Sequence, residues 1–202
     1  MRHLSTLYAP AEIRPALHAV HALDLALLDV AVTTKEPMVG HIRLAWWRER
    51  ITELGAGRAP AEPILSALAE CQVPPSALDG FDDPSLAFIE GDMNNWAVQR
   101  GERLFSAVSS LFGIGATAET LAVGRGWSAV DGWRRGFVER DDAQAILNEA
   151  PKRSTGPLRP LLGLLAVARS DFRRADPGQP DGVTVSPTRQ LRLAFAIVSG
   201  RL

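Results

Sequence analysis

The sequence predicts an all-α fold, and three observations carry that reading. Apolar residues recur at helical spacing through most of the 202 residues. Strand-like alternation is scarce: only Gly182-Val183-Thr184-Val185 reads as extended, in a stretch rich in Pro and Gly. Prolines and glycines punctuate the pattern where helices should begin and end, as Pro37, Gly55, Pro84 and Pro151 do. One domain spanning residues 1–202 is expected, long enough to bury a sizeable core.

The first helix should run from about Pro10 to about Val32, with Ala, Leu and Val over most of its circumference. Arg14, His18 and His21 share one narrow face that continues to Leu28 and Val32, flanked by Asp24 and Asp29. The second helix, Pro37 to Gly55, organises the chain. Leu44, Trp47, Ile51 and Leu54 form one apolar strip on it, and Val39, Ile42 and Trp46 form the next. Trp46 and Trp47 should therefore both be largely buried, against two neighbours. Arg43 and Arg50 fall between the strips, and a half-buried guanidinium needs an anion. A carboxylate of the first helix, Asp24 or Asp29, would serve, and so would a phosphate from a ligand.

A short helix should follow from about Ala61 to Cys71, then a turn at Asp79–Pro84. Asp83 as N-cap, with Pro84 at the first helical position, opens a long helix to about Phe112. Leu86, Ile89, Met93, Trp96, Leu104, Val108 and Leu111 keep its spacing. Gly91 and Gly101 inside it cost roughly 1 kcal/mol each relative to Ala, which close approach of a neighbouring backbone would justify. Thr117 caps a helix through about Arg135, and another spans about Glu139–Ala150. Leu158 to about Arg174 reads as a buried helix, Ala175–Pro187 as a polar loop, and Thr188–Ser199 as a short amphipathic helix.

Composition narrows the function classes. A net charge of −1 gives no nucleic-acid footprint. The single cysteine, Cys71, excludes an intramolecular disulfide and a cysteine-based zinc cluster, and fits a reducing compartment. No stretch near the start has signal-peptide character, and no run reaches the ~18 uninterrupted apolar residues of a membrane span. A cytoplasmic location is expected, with peripheral contact at the inner membrane left open. No Walker loop, dinucleotide-binding glycine run, nucleophile elbow or zincin motif is present. His18 and His21 stand at i, i+3, which supplies two metal ligands and no more. Asp82-Asp83 reads as a turn and N-cap, and Asp141-Asp142 as a helix start that suits the macrodipole.

The order of segments resembles the squalene/phytoene synthase family. Leu7-Tyr8-Ala9-Pro10-Ala11-Glu12-Ile13-Arg14-Pro15-Ala16-Leu17 is similar to that family's opening. Gly40-His41-Ile42-Arg43-Leu44-Ala45-Trp46-Trp47-Arg48 resembles its Gly-x-Ile-Arg-Leu-x-Trp-Trp-Arg hallmark. Arg100-Gly101-Glu102-Arg103-Leu104-Phe105, Gly126-Trp127-Ser128-Ala129-Val130-Asp131 and Leu158-Arg159-Pro160-Leu161-Leu162 also follow in family order. The resemblance implies an isoprenoid (terpenoid) synthase-like helical bundle, here truncated relative to full-length synthases. In active members, two Asp-x-x-x-Asp motifs on facing helices hold Mg²⁺ against a prenyl diphosphate, since a hard cation takes oxygen ligands.

Alignment places the first motif at Leu28 and Val32 and the second at Arg135 and Glu139, so one carboxylate of four remains. Asp-x-x-x-Asp occurs nowhere in the chain. No catalytic residue, metal site or cofactor is expected. His18, His21, Arg43, Trp46, Trp47, Arg50 and Glu139 are the candidate ligand-binding residues. The expected function is a non-catalytic family-like protein that binds a prenyl lipid or assists assembly through a protein partner. A mitochondrial branch of the family also lacks the aspartates and assists assembly of respiratory complex I. The alternative is a prenyl diphosphate condensing or transferring enzyme. In that reading Arg43 and Arg50 would hold diphosphate, and Glu139, Asp24 and Asp29 would supply a rearranged Mg²⁺ site.

Overall fold

The computed structural model describes residues 6–58, 61–152, 159–174 and 187–199. The α-helices among them are α1 (Arg14–Thr33), α2 (Pro37–Gly55), α3 (Pro63–Glu70), α4 (Asp83–Ile89), α5 (Met93–Leu111), α6 (Ala118–Arg134), α7 (Arg140–Glu149), α8 (Arg159–Arg174) and α9 (Pro187–Ser199). Two 3-10 turns, at Ala11–Ile13 and Pro75–Leu78, complete the regular structure, and the described residues contain no strand. The all-α expectation holds. Gly182–Val185 and the expected polar loop at 175–186 lie outside the described residues.

Helix α1 is the spine of the first half. Leu17, Val20, Leu23, Leu27 and Leu28 are buried on it, where α2, α3, α4 and α5 pack around it. Ala11–Thr33 is long and apolar enough to cross a membrane, but 61% of its apolar window is buried inside the bundle. Its composition therefore serves the core here. Arg14 at its start donates to the carbonyls of Ala9 at 2.9 Å and Leu7 at 2.8 Å, which fixes the entering chain. Ser85 on α4 donates to the carbonyl of Leu27 at 3.0 Å, tying α4 to the middle of α1.

Helix α5 joins the two halves. It touches α1 and α4 on one side and packs along α6 on the other; α6 in turn carries α7 and α8. The last helix, α9, rests on α8, with Leu193 and Ile197 against Val167.

The expected long helix from Asp83 to Phe112 is two helices. Gly91 adopts a φ of +83°, a left-handed conformation that costs a glycine little, and turns the chain. Asp92 then caps α5 by accepting from the Asn95 amide at 3.1 Å. Gly91 is thus a break, whereas Gly101 is the close approach the sequence suggested. A Cβ on Gly101 would strike the backbone of Gly124 on α6, and a Cβ on Gly124 would strike the carbonyl of Gly101.

Asp82 and Asp83 also differ from expectation. Neither caps a helix, because both side chains turn to arginines. Arg48 of α2 lies 2.7 Å from Asp82 and 3.4 Å from Asp83, and Arg103 of α5 lies 3.1 Å from Asp83. These pairs tie the start of α4 to α2 and α5.

The α5–α6 contact is backbone on backbone, so no side chain there can yield. Gly101→Ala should lower stability by roughly 1–3 kcal/mol in a chemical denaturation titration, the usual cost of overpacking. A loss below about 0.5 kcal/mol would show that the helices separate freely at this level.

Candidate functional site

A carboxylate in the middle of an apolar helix must find a cation or stay protonated. Asp24 on α1 meets this demand with Arg100 of α5. The guanidinium places Nε 2.9 Å from Oδ1 and Nη2 3.0 Å from Oδ2, a two-pronged fit in which both carboxylate oxygens accept. The remaining prong, Nη1, donates to Oδ2 of Asp131 on α6 at 2.8 Å. Arg135, one turn beyond Asp131, donates to the same oxygen through Nε at 3.0 Å. The side chains of Asp24 and Arg100 are only 5% and 3% exposed, and that of Asp131 is partly open at 23%.

The aromatic walls are as well placed as the charges. The Arg100 guanidinium carbon lies 5.2 Å from the ring centre of Trp96 and 5.3 Å from that of Trp127. Burial alone would lower the Arg100 pKa; the charges of Asp24 and Asp131, with their hydrogen bonds, more than reverse this. The net effect raises it above the ordinary arginine value, so the group stays cationic throughout the working pH range. Two carboxylates and two guanidinium groups leave the cluster neutral.

A cavity of about 10 Å³ touches Asp24, Leu28, Trp96, Arg100 and Arg103, room for about one water. Typical small-molecule sites run to about 300–1,000 Å³.

The residues do not fit Mg²⁺. Magnesium wants near-octahedral oxygen ligands and keeps several waters. Here both Asp24 oxygens are taken by Arg100, and Asp131 Oδ2 is shared by two guanidinium groups. The described residues hold no group of three or more His, Cys, Asp or Glu arranged to bind a metal.

The expected ligand-binding residues are dispersed. His18 is exposed, its Nε2 3.3 Å from the Thr6 hydroxyl, and His21 is buried in α1. Arg43 lines an open groove of about 280 Å³ with Thr33, Thr34, Lys35, Glu36 and Val39. It donates to the hydroxyls of Thr34 at 2.9 Å and Thr33 at 3.4 Å. Arg50 pairs with its own helix, 2.9 Å from Glu53 and 3.0 Å from Glu49. Glu139 is exposed just before α7.

The expected pairing of Arg43 or Arg50 with Asp24 or Asp29 is therefore wrong. Arg43 reaches the last turn of α1, and Asp24 lies nine residues earlier, about 14 Å along the axis at ~1.5 Å per residue. Trp47 is buried at 8% exposure, but Trp46 is 44% exposed. Only one of the two apolar strips on α2 faces the core. The strip with Ile42 and Trp46 faces outward beside Met38, which is 71% exposed.

Sequence reading missed Arg100, Asp131, Trp96 and Trp127 as one cluster. The signal was present: position 100 falls on the apolar strip of α5, one turn after Trp96 and one turn before Leu104. A cation there must meet an anion inside the core.

An all-α bundle with a neutralised ion cluster at its centre is the class defined so far. Residues 1–80 match the squalene/phytoene synthase family. Over that stretch, which includes α1 with Asp24, α2 with its tryptophan pair and α3, the resemblance is shown, and the all-α architecture of the described residues is consistent with an isoprenoid synthase-like fold. Comparison with curated proteins and with solved structures gives no match.

Breaking the buried pair from one side leaves a charge without its partner. Asp24→Asn should cost roughly 3–5 kcal/mol by denaturant titration, and a cost under about 1 kcal/mol would show the pair to be dispensable. Trp47→Ala should cost roughly 3–5 kcal/mol and Trp46→Ala less than about 1 kcal/mol. Equal losses would mean that both rings are buried in solution.

Proposed function

We propose that this chain is a non-catalytic squalene/phytoene synthase-like protein that acts as a binding or assembly factor through a protein partner. The observation that carries the reading is the commitment of Asp24 and Asp131 to Arg100. A family-type reaction needs carboxylates that hold Mg²⁺ against a departing diphosphate, and these two already hold a guanidinium. The tight packing beside the cluster argues against a prenyl chain at that point and shifts attention to the surface.

The outer face of α2 is the surface the reading favours. Met38, Ile42 and Trp46 are 71%, 63% and 44% exposed and follow one another at four-residue spacing. Aromatic residues and methionine are enriched in protein interfaces, and tryptophan above all among the residues that dominate binding energy. An assembly role of the respiratory complex I kind is the specific form that the family resemblance supports. A cytoplasmic location, peripheral to the inner membrane, belongs to the same proposal.

Purified protein incubated with farnesyl or geranylgeranyl diphosphate and Mg²⁺ should release no diphosphate and form no condensed product. Turnover above the protein-free rate, lost in Glu139→Gln, would overturn the non-catalytic reading and favour the enzyme. Photo-crosslinking from position 46 in cells should capture a discrete protein that Ile42→Asp releases. Crosslinks to lipid alone would replace the protein partner with a membrane surface.

A further inference from the structure

The arginines that tie helices together in this bundle meet carboxylates: Arg48, Arg100, Arg103, Arg125 and Arg134 each lie within ion-pair distance of one. The groove between α7 and α8 departs from that rule. It is open, holds about 300 Å³, and is lined by Lys152, Arg169 and Arg173 without any acid. Among the described residues, no ion pair joins any of these three cations to a carboxylate. Glu149, the acid next along α7, is 65% exposed and points instead to Arg125 at 3.7 Å.

Arg169 is the fixed part of the groove. Its guanidinium donates to the carbonyls of Pro151 and Ala150 at 2.7 Å each and of Leu147 at 3.4 Å, closing the end of α7. Those acceptors are neutral, so they hold the head in place and leave its charge uncancelled. Burial, and after it the charge of Arg173 one turn along α8, pushes the Arg169 guanidinium below the ordinary arginine value. A bound anion relieves both costs. Helix ends reduce the excess charge without removing it, since the C-termini of α7 and α8 each present roughly half a negative charge. Against three cations that leaves an excess of about two, close to the charge of a phosphate monoester near neutral pH.

We propose that the groove between α7 and α8 binds the phosphoryl group of a small phosphate monoester, gripped by Arg173 and Lys152 against the fixed guanidinium of Arg169. Arginine forks match phosphate oxygens in pairs, and lysine adds a point charge. Gln144 and Asn148, bonded to each other at 2.8 Å, offer amides to the organic part of the ester, with Leu147 and Phe172 beneath. The volume stands at the small end of ligand sites, about 300–1,000 Å³, so that organic part is short. This site is separate from the Asp24–Arg100 cluster and from the outer face of α2, and it stands independently of the function proposed above.

The test is calorimetric titration of the full chain with inorganic phosphate and with glycerol 3-phosphate, against chloride at matched ionic strength. Glycerol 3-phosphate should bind saturably, one per chain, and chloride should not. Arg173→Gln and Lys152→Gln, both at exposed positions, should each weaken binding at least about tenfold, the loss of one hydrogen bond to a charged group. Their thermal midpoints without ligand should match the wild type. A second arm uses phosphatidylcholine vesicles carrying phosphatidic acid, whose headgroup is the same monoester, or phosphatidylserine, whose phosphate is a diester. Binding in solution assigns the site to a soluble ester. Binding to phosphatidic acid alone, lost in both variants, assigns it to a lipid headgroup, and either result supports the proposal. No saturable binding in either arm overturns it, as does binding that both variants retain. Binding confined to vesicles and equally strong on phosphatidylserine also overturns it, because that is charge attraction without a site.

Discussion

A fully buried carboxylate and guanidinium form one pair of ions at the junction of three helices, and most other features of this bundle follow from satisfying them. Taking each ion out of water costs several kcal/mol, which their attraction offsets only if the geometry is good and the other donors are used. Asp24 and Arg100 meet that condition with two parallel hydrogen bonds, and the third donor reaches Asp131. An aliphatic pair of similar volume would pack as stably. What the ions add is register, since a shift of α1 against α5 by one residue breaks both bonds at once. That specificity is the better explanation for keeping charge at this depth.

The register depends on how closely α5 and α6 approach. Gly101 follows Arg100 directly, and its backbone lies against Gly124, one turn before Trp127–Ser128 and two turns before Asp131. With any side chain at those glycines the helices would stand further apart. Arg100 would then lose Asp131, and the Trp127 face would recede from the guanidinium. The glycines thus place α6 so that one cation serves two acids, which is why helix-weakening residues occupy the interior of both helices. Gly91 plays another part: its turn separates α4 from α5, so that α4 can lie along α1 and bond to the Leu27 carbonyl through Ser85.

Much of this was legible in the residues. The helical periods, Pro37 and Gly55 around α2, Thr117 before α6 and the Gly101 close approach all follow from local rules. The break at Gly91 was not legible, because apolar spacing runs through it and an isolated glycine inside a helical pattern is tolerated. The partner of Asp24 was misassigned for a different reason. Sequence proximity favoured Arg43, but its reach is set by the turn joining α1 and α2, and the true partner lies 76 residues away. Position 100 was the missing clue: it interrupts an apolar strip with a charge, and a charge there implies an anion wherever the fold can bring one. Trp46 was misjudged because a second apolar strip has two meanings, a second neighbour inside the bundle or a face left open, and periodicity cannot separate them.

That open face stands apart from the charges of the interior. Here the interior charges are spent on one another, and the cavity beside them has room for about one water. Recognition of a large ligand at that point would require separating the Asp24–Arg100 pair, at the cost of an uncompensated buried ion. Recognition at the surface requires nothing of the core. Met38, Ile42 and Trp46 project from a helix whose opposite strip, Leu44, Trp47, Ile51 and Leu54, is anchored in the bundle. Trp46 and Trp47 meet edge to face, with ring centres 5.2 Å apart, so the exposed ring is braced by the buried one. A braced aromatic loses little freedom when a partner covers it. The same helix that secures the fold thereby also carries an exposed apolar face.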